Sequence, residues 1–99
     1  MLINYLDDVK ARMGIPAEID VYDAEISGLL EDCEQDLLAS GVTDNVLNSD
    51  THTQQCITAA TLYVKAYFGS DRSDSDKYLE MYRNKAFRLM LESEFDDAD

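Results

Sequence analysis

The chain has 99 residues, of which 45% are hydrophobic and 29% charged, and its formal net charge is −13. This composition is typical of a globular protein, and a chain of this length leaves no room for a second domain. The acidic balance excludes a broad nucleic-acid-binding surface, because DNA binding requires positive charge that displaces counterions. Two interpretations of the charge stay open: a solvated surface that keeps the protein soluble, or a surface that repels DNA.

Neither a membrane segment nor a signal peptide is indicated. The chain has no run of about 18 apolar residues that could cross a bilayer, and the start from Met1 to Asn4 lacks a basic region followed by an apolar run. We therefore expect the protein to be made in the cytoplasm and to have no membrane partner. Cys33 and Cys56 lie inside helical apolar patterns and form no CxxC pair, so we interpret both as small core residues.

The first two helices are predicted from apolar residues spaced three and four positions apart. The first stripe consists of Leu2, Leu6, Val9 and Met13. Gly14 and Pro16 stop this short helix. A second helix is predicted from about Val21 to Ala39, with acidic residues crowding its polar surfaces, and Gly41 ends it.

A third helix follows a connecting loop at residues 42–50 that is rich in turn-forming Asn, Asp and Ser. Thr51 and Gln54 fit a capping box, with Asp50 as a competing cap, and the helix runs to about Phe68. Apolar residues cover almost its whole circumference, so we expect it to be the central and most buried helix. Its predicted core stripe is Ile57, Ala60, Val64 and Phe68.

A fourth helix is predicted to begin near Asp74 or Ser75, after a polar loop. Its apolar face includes Tyr82, Ala86 and Leu89. The expected fold class is all-α, a single small domain of about four helices. We expect residues 1–91 to form this helical domain and residues 92–99 to form an acidic C-terminal tail.

No catalytic, cofactor or metal site is indicated. The single histidine, His52, lies at a helix start, where the dipole disfavours an imidazolium, and no nucleophile motif accompanies it. No glycine-rich phosphate loop is present. The acidic run Asp71, Asp74 and Asp76 lacks the glycine and the distal glutamate of an EF-hand, and turn formation explains it. We therefore predict a protein that is not an enzyme.

The charges are sorted along the chain. Residues 1–64 hold two basic residues against twelve acidic ones, whereas residues 77–88 hold four basic residues against one acidic one. The acidic second helix carries Glu31, Asp32, Glu34 and Asp36, and the basic last helix carries Arg83, Lys85 and Arg88. These helices either pair inside the domain or face outward as complementary surfaces for head-to-tail assembly, which closes into a ring when the rotation permits.

The second half of the chain resembles the head-tail connector proteins of tailed bacteriophages, which are also called DNA-packaging or head-completion proteins. The residues that carry the resemblance are Tyr63-Val64-Lys65-Ala66-Tyr67-Phe68-Gly69, Asp76-Lys77-Tyr78, and Tyr82 and Lys85 ahead of Leu89-Met90-Leu91. The front half is similar more loosely, through Leu6-Asp7-Asp8-Val9-Lys10 and the acidic helix that ends at Gly41.

The resemblance implies a virion protein at the head-tail junction, with no catalysis. Such an adaptor forms a ring, usually twelvefold, that docks on the portal after packaging and receives stopper or tail proteins below. The C-terminal segment would contact the portal, which assigns this role to Phe95 and to the acids Asp96, Asp97 and Asp99. An acidic channel would let genomic DNA pass without specific binding.

We accordingly expect Arg83, Lys85 and Arg88 to contact neighbouring subunits or the portal rather than DNA. The acidic residues of the second helix are the expected partners in a neighbouring subunit. An alternative function is a free acidic protein that mimics DNA and blocks a host DNA-binding enzyme. Such a mimic would expose its carboxylates as a monomer or dimer and would bind a basic protein with strong salt dependence.

Overall fold

A computed structural model describes residues 1–96, and five α-helices joined by short turns make up this part of the chain. The helices are α1 (Leu6–Arg12), α2 (Asp23–Ala39), α3 (Asp44–Leu47), α4 (Thr53–Tyr67) and α5 (Ser75–Asp96). Two 3-10 turns, Leu2–Tyr5 and Asp50–His52, precede α1 and α4. The predicted all-α fold is confirmed, with four helices of seven residues or more and the single turn of α3 as a fifth.

The connection between α2 and α4 contains α3, where the sequence predicts only a loop. Gly41 ends α2 with a φ of 105°, a conformation that side chains with a Cβ rarely adopt. Thr43 then caps α3, because its Oγ1 accepts a hydrogen bond of 3.3 Å from the backbone N–H of Val46. Val46 and Leu47 are both buried, so the short helix is held in place by the core.

The predicted capping box before α4 is wrong. Ser49 provides the cap instead, because its Oγ accepts a hydrogen bond of 3.2 Å from the backbone N–H of Thr51. This bond starts the 3-10 turn, and α4 follows directly from His52, which makes no side-chain capping bond. Serine, aspartate and threonine all cap helices well. Where they stand side by side, as at residues 49–51, the tertiary path of the chain decides which of them makes the capping bond.

α4 is the central helix and packs against α1, α2 and α5. Eight of its fifteen residues are buried, including Ile57, Ala60 and Val64. Phe68 lies just beyond the helix, where the backbone becomes extended, and its side chain is half-buried. The Phe68 ring packs edge-to-face on Tyr22, with 5.4 Å between ring centroids.

α5 is the longest helix and packs along α4. Its inner face consists of the buried residues Tyr82, Ala86 and Leu89. The helix continues through residues 92–96, within the segment expected to be a tail. Ser93 is buried there, and its Oγ donates to the carbonyl of Leu89 and accepts from the N–H of Thr43. Residues 97–99 of the tail, including Asp97 and Asp99, lie outside the described residues.

A fully buried lysine holds the turn between α1 and α2. Lys10 Nζ lies 2.7 Å from Oδ1 of Asp23 and donates to the carbonyls of Ala17, at 3.1 Å, and Ile19, at 2.6 Å. Burial of an isolated charge costs free energy, and the three oxygen atoms around Nζ offset this cost. The lysine thereby fixes the path of the chain into α2.

The five helices form one compact domain. Its radius of gyration is 13.2 Å, close to the value of about 13 Å for a folded domain of 100 residues. Cys33 and Cys56 are buried and free, as predicted for core residues. Among the helices of residues 1–96, none is both long and apolar enough to span a membrane.

Candidate functional site

The acidic surface of α2 consists of three of the four predicted carboxylates. Glu31, Asp32 and Asp36 are exposed. Glu34 does not belong to this surface, because it is buried and its Oε1 accepts a hydrogen bond of 2.7 Å from the backbone N–H of Leu2. Glu34 therefore ties the first turn of the chain to α2 instead of facing a partner.

α2 and α5 are connected by a buried tyrosine. The Tyr82 hydroxyl donates a hydrogen bond of 2.5 Å to Oδ2 of Asp36, and the Cys33 thiol lies 3.9 Å from the same hydroxyl. Burial raises the pKa of Tyr82 far above the usual value of a tyrosine, so the hydroxyl keeps its proton and acts as the donor. Burial also raises the pKa of the neighbouring Tyr63 to about 12.

The basic surface of α5 consists of Arg83, Lys85 and Arg88, which are all exposed. None of them forms an ion pair within residues 1–95, where Lys10 pairs with Asp23 and the imidazole of His52 contacts Glu92. The two helices of opposite charge thus do not neutralise each other inside the domain. Their charges remain available to partners.

The outer line of α5 is a row of three exposed apolar residues. Phe87, Leu91 and Phe95 are 56%, 36% and 77% exposed. They repeat every four residues and therefore lie in one line along the helix, on the side away from its buried inner face. Arg88 and Glu94 flank this line. Apolar side chains grouped on a highly charged surface are typical of a protein contact site.

Sequence reasoning selected Phe95 and missed Phe87 and Leu91. The signal was present, because the three residues form a second four-residue repeat on the predicted helix, offset from the inner-face repeat. A helix that carries two apolar stripes has one more than its own core needs. The second stripe is then a candidate for contact with another molecule.

A groove runs between α2, α4 and α5, beside the outer line. We call it the tyrosine groove, and it has a volume of about 410 Å³. Its lining includes Asp36, Tyr63, Tyr67, Tyr82, Arg83 and Phe87. The ring centroid of Tyr63 lies 4.9 Å from that of Tyr67 and 5.1 Å from that of Tyr82, so aromatic faces form one wall. One carboxylate and one guanidinium complete a lining that suits an apolar side chain with charged neighbours.

His52 and Asp71 each hold a turn of the fold. His52 is buried, and its Nε2 lies 3.2 Å from Oε2 of Glu92, which ties the turn before α4 to α5. Asp71 accepts a hydrogen bond from the backbone N–H of Ser73, and this bond lowers the pKa of Asp71 in a surface turn. In the part of the chain that the structure describes, no group of three or more His, Cys, Asp or Glu residues could hold a metal ion.

A family model described as "Phage connector protein" matches residues 5–96, which include all five helices. No curated protein and no solved structure matches the chain. The matched range contains both charged surfaces, the outer line and the tyrosine groove.

Proposed function

The chain belongs to the phage connector protein family, and from that premise we propose that it forms a ring, of twelve subunits in the virion, beneath the portal of a tailed bacteriophage. Membership implies a structural head-tail connector role and contacts with other virion proteins. In our proposal the ring completes the DNA-filled head at the head-tail junction. It docks on the portal above and receives a stopper or tail-completion protein below.

The observation that carries this proposal is that the carboxylates of α2 and the cations of α5 are exposed and do not pair with each other. Glu31, Asp32 and Asp36 are exposed on α2, while the basic surface of α5 has no ion-pair partner within residues 1–95. Two different surfaces that attract each other produce a head-to-tail contact, and such contacts close into a ring when the rotation between neighbours allows it. We assign Arg83, Lys85 and Arg88 to this contact or to the portal.

Genomic DNA passes through the proposed ring without specific binding. The formal net charge of −13 on each subunit repels phosphates, so a channel between such subunits does not retain DNA. The three exposed cations of α5 contact protein in this arrangement. Phe95, at the exposed end of α5, is available to the portal or to another subunit.

The test is assembly with and without portal protein. Sedimentation and electron microscopy over a range of protein concentrations should show monomers when dilute and rings at high concentration or on the portal. A DNA mimic would instead remain a monomer or dimer and would bind a basic host protein in a strongly salt-dependent way. A single monomeric species at every concentration and salt level, with portal present, would contradict the connector function.

A further inference from the structure

We propose that the tyrosine groove of one subunit receives the C-terminal part of α5 from a second copy of the chain, with Leu91 and Phe95 as the inserted side chains. This inference rests on the proposed ring, because the contact it describes is the one between neighbouring subunits. In this contact the tyrosine groove of one subunit meets the outer line of the next, and the docked helix has one defined direction.

The groove has the size and lining of a site for apolar side chains. Its volume of about 410 Å³ falls in the range of about 300–1,000 Å³ that binding clefts have. Tyr63 and Tyr67 are half-buried and present aromatic faces to it. A phenylalanine that enters the groove can pack against these rings in the edge-to-face or offset geometry that aromatic pairs favour.

The outer line has the spacing of a helix that docks in a groove. Leu91 and Phe95 are one turn apart, and anchors at positions i and i+4 are what an amphipathic helix places into such a site. Phe95 is the most exposed large apolar residue of the described chain, at 77%. Docking would remove this apolar surface from water, which favours the contact.

Charges accompany the apolar side chains on both surfaces. The groove carries Asp36 and Arg83, and the outer line is flanked by Arg88, three residues before Leu91, and by Glu94, beside Phe95. Arg88 of one copy can therefore face Asp36 of the next, while Glu94 faces Arg83. Neither arginine has an ion-pair partner within residues 1–95. The cation lies on the docked helix in one ion pair and on the groove in the other. A reversed helix would bring like charges together, so the two ion pairs fix the direction of docking.

We take a second copy as the occupant because the outer line of this chain is flanked by charges opposite to those of its groove, and because a subunit cannot fill its own groove. Arg83 and Phe95 lie on the same helix, twelve residues apart, which corresponds to about 18 Å along a rigid rod. The contact must then be made between molecules, with the end of one α5 in the groove of the next. A contact of this kind joins unlike surfaces, so it continues from subunit to subunit.

Site-directed crosslinking tests the contact directly. In the variant Arg83→Cys/Glu94→Cys, which keeps Tyr67, Leu91 and Phe95, oxidation of the assembled protein should produce a ladder of multimers that a reductant dissolves. The native thiols should not interfere, because Cys33 and Cys56 are buried and burial raises the pKa of Cys33 to about 12 and that of Cys56 to about 11. The control is Arg83→Cys/Glu18→Cys, which places an exposed thiol outside both surfaces.

A charge swap provides the second measurement. Arg83→Glu and Glu94→Arg should each raise the concentration needed for half-assembly by at least about tenfold, because each places like charges together. The variant with both changes restores an opposite pair and should recover most of the loss. Circular dichroism checks that all three variants are folded, which is expected because both side chains are exposed.

The outcomes separate the docking inference from the connector function. Rings that form on the portal without an 83–94 crosslink above the control, and without rescue by the charge swap, overturn the docking and leave the connector function standing. A crosslink from position 94 to the portal instead of to a second copy also overturns it. The absence of assembly under all conditions overturns both proposals.

Discussion

The hydroxyl of Tyr82 on α5 donates a hydrogen bond of 2.5 Å to the carboxylate of Asp36 on α2. A neutral donor thus joins the acidic helix to the basic one, although Arg83 follows Tyr82 directly in sequence. Asp36 and Arg83 both line the tyrosine groove, and Arg83 forms no ion pair within residues 1–95. The hydrogen bond therefore holds the two helices together without an ion pair between them.

Tyr82→Phe should lower the free energy of unfolding by about 1–2 kcal/mol near neutral pH, because the substitution removes a hydrogen bond to a charged group. The folded state raises the pKa of Tyr82, so the stability linked to its proton is present below pH about 10 and is lost as the pH rises further. The difference in the free energy of unfolding between the variant and the wild type should hence shrink above pH 10. Urea denaturation at pH 7.5 and pH 11 measures this difference.

The control is Tyr5→Phe, because the Tyr5 hydroxyl makes no hydrogen bond within the described residues and its ring packs against the core. This variant should change stability by less than about 0.5 kcal/mol. A difference between Tyr82→Phe and wild type that is equal at both pH values would contradict the linkage.

Lys10→Met should lower the free energy of unfolding by about 2–4 kcal/mol. The substitution removes one member of a buried ion pair and leaves Asp23 and two carbonyls without their donor. The loss is smaller than for a fully buried pair, because Asp23 is 34% exposed and water can reach it. Lys85→Met is the matched control at an exposed lysine, and equal losses in the two variants would refute the role of Lys10.

Val64→Asp should unfold the protein or lower its stability by several kcal/mol, because the substitution places an unpaired charge in the most buried helix. The total stability of such a domain is about 5–15 kcal/mol. Val21→Asp makes the same change at a valine that is 73% exposed and should leave the melting temperature nearly unchanged. Thermal melts followed by circular dichroism compare the two, and normal melting of Val64→Asp would refute the central position of α4.

Reversal of Arg83, Lys85 and Arg88 to glutamate should leave the fold intact and abolish ring formation and head completion. Three reversals of two charges each change the formal charge by −6 and, in the proposed ring, place negative charge against carboxylates of a neighbour. Each exposed pair is worth only about 0–1 kcal/mol, but the proposed ring would repeat every contact. The corresponding glutamine variant, which removes charge without reversing it, should assemble weakly. Normal assembly of the glutamate variant with reduced DNA affinity would assign this surface to nucleic acid.

The native thiols should not react with a thiol reagent at pH 8. Only the thiolate reacts, and burial raises the pKa of Cys33 to about 12 and that of Cys56 to about 11. Two thiols per chain should react with the reagent when urea unfolds the protein. Fast labelling of either cysteine in the folded protein would show that the core around α2 and α4 opens.

The sequence determined the long helices and much of the exposed charge. α2, α4 and α5 each bury a stripe whose period is visible without tertiary contacts, and the all-round apolar character of α4 predicts its central position. The cations of α5 are also predictable as exposed, because Arg83, Lys85 and Arg88 point to several sides of one helix whose remaining side is apolar.

Tertiary structure alone decided which charges are buried and where surfaces meet. Lysine and glutamate are ordinarily exposed, yet Lys10 and Glu34 are buried because backbone groups from elsewhere in the chain reach them. No local pattern reveals such partners: the N–H that Glu34 accepts from lies 32 positions away. The tyrosine groove has the same origin, since three helices must first pack before Asp36, Tyr67 and Arg83 can line one cavity.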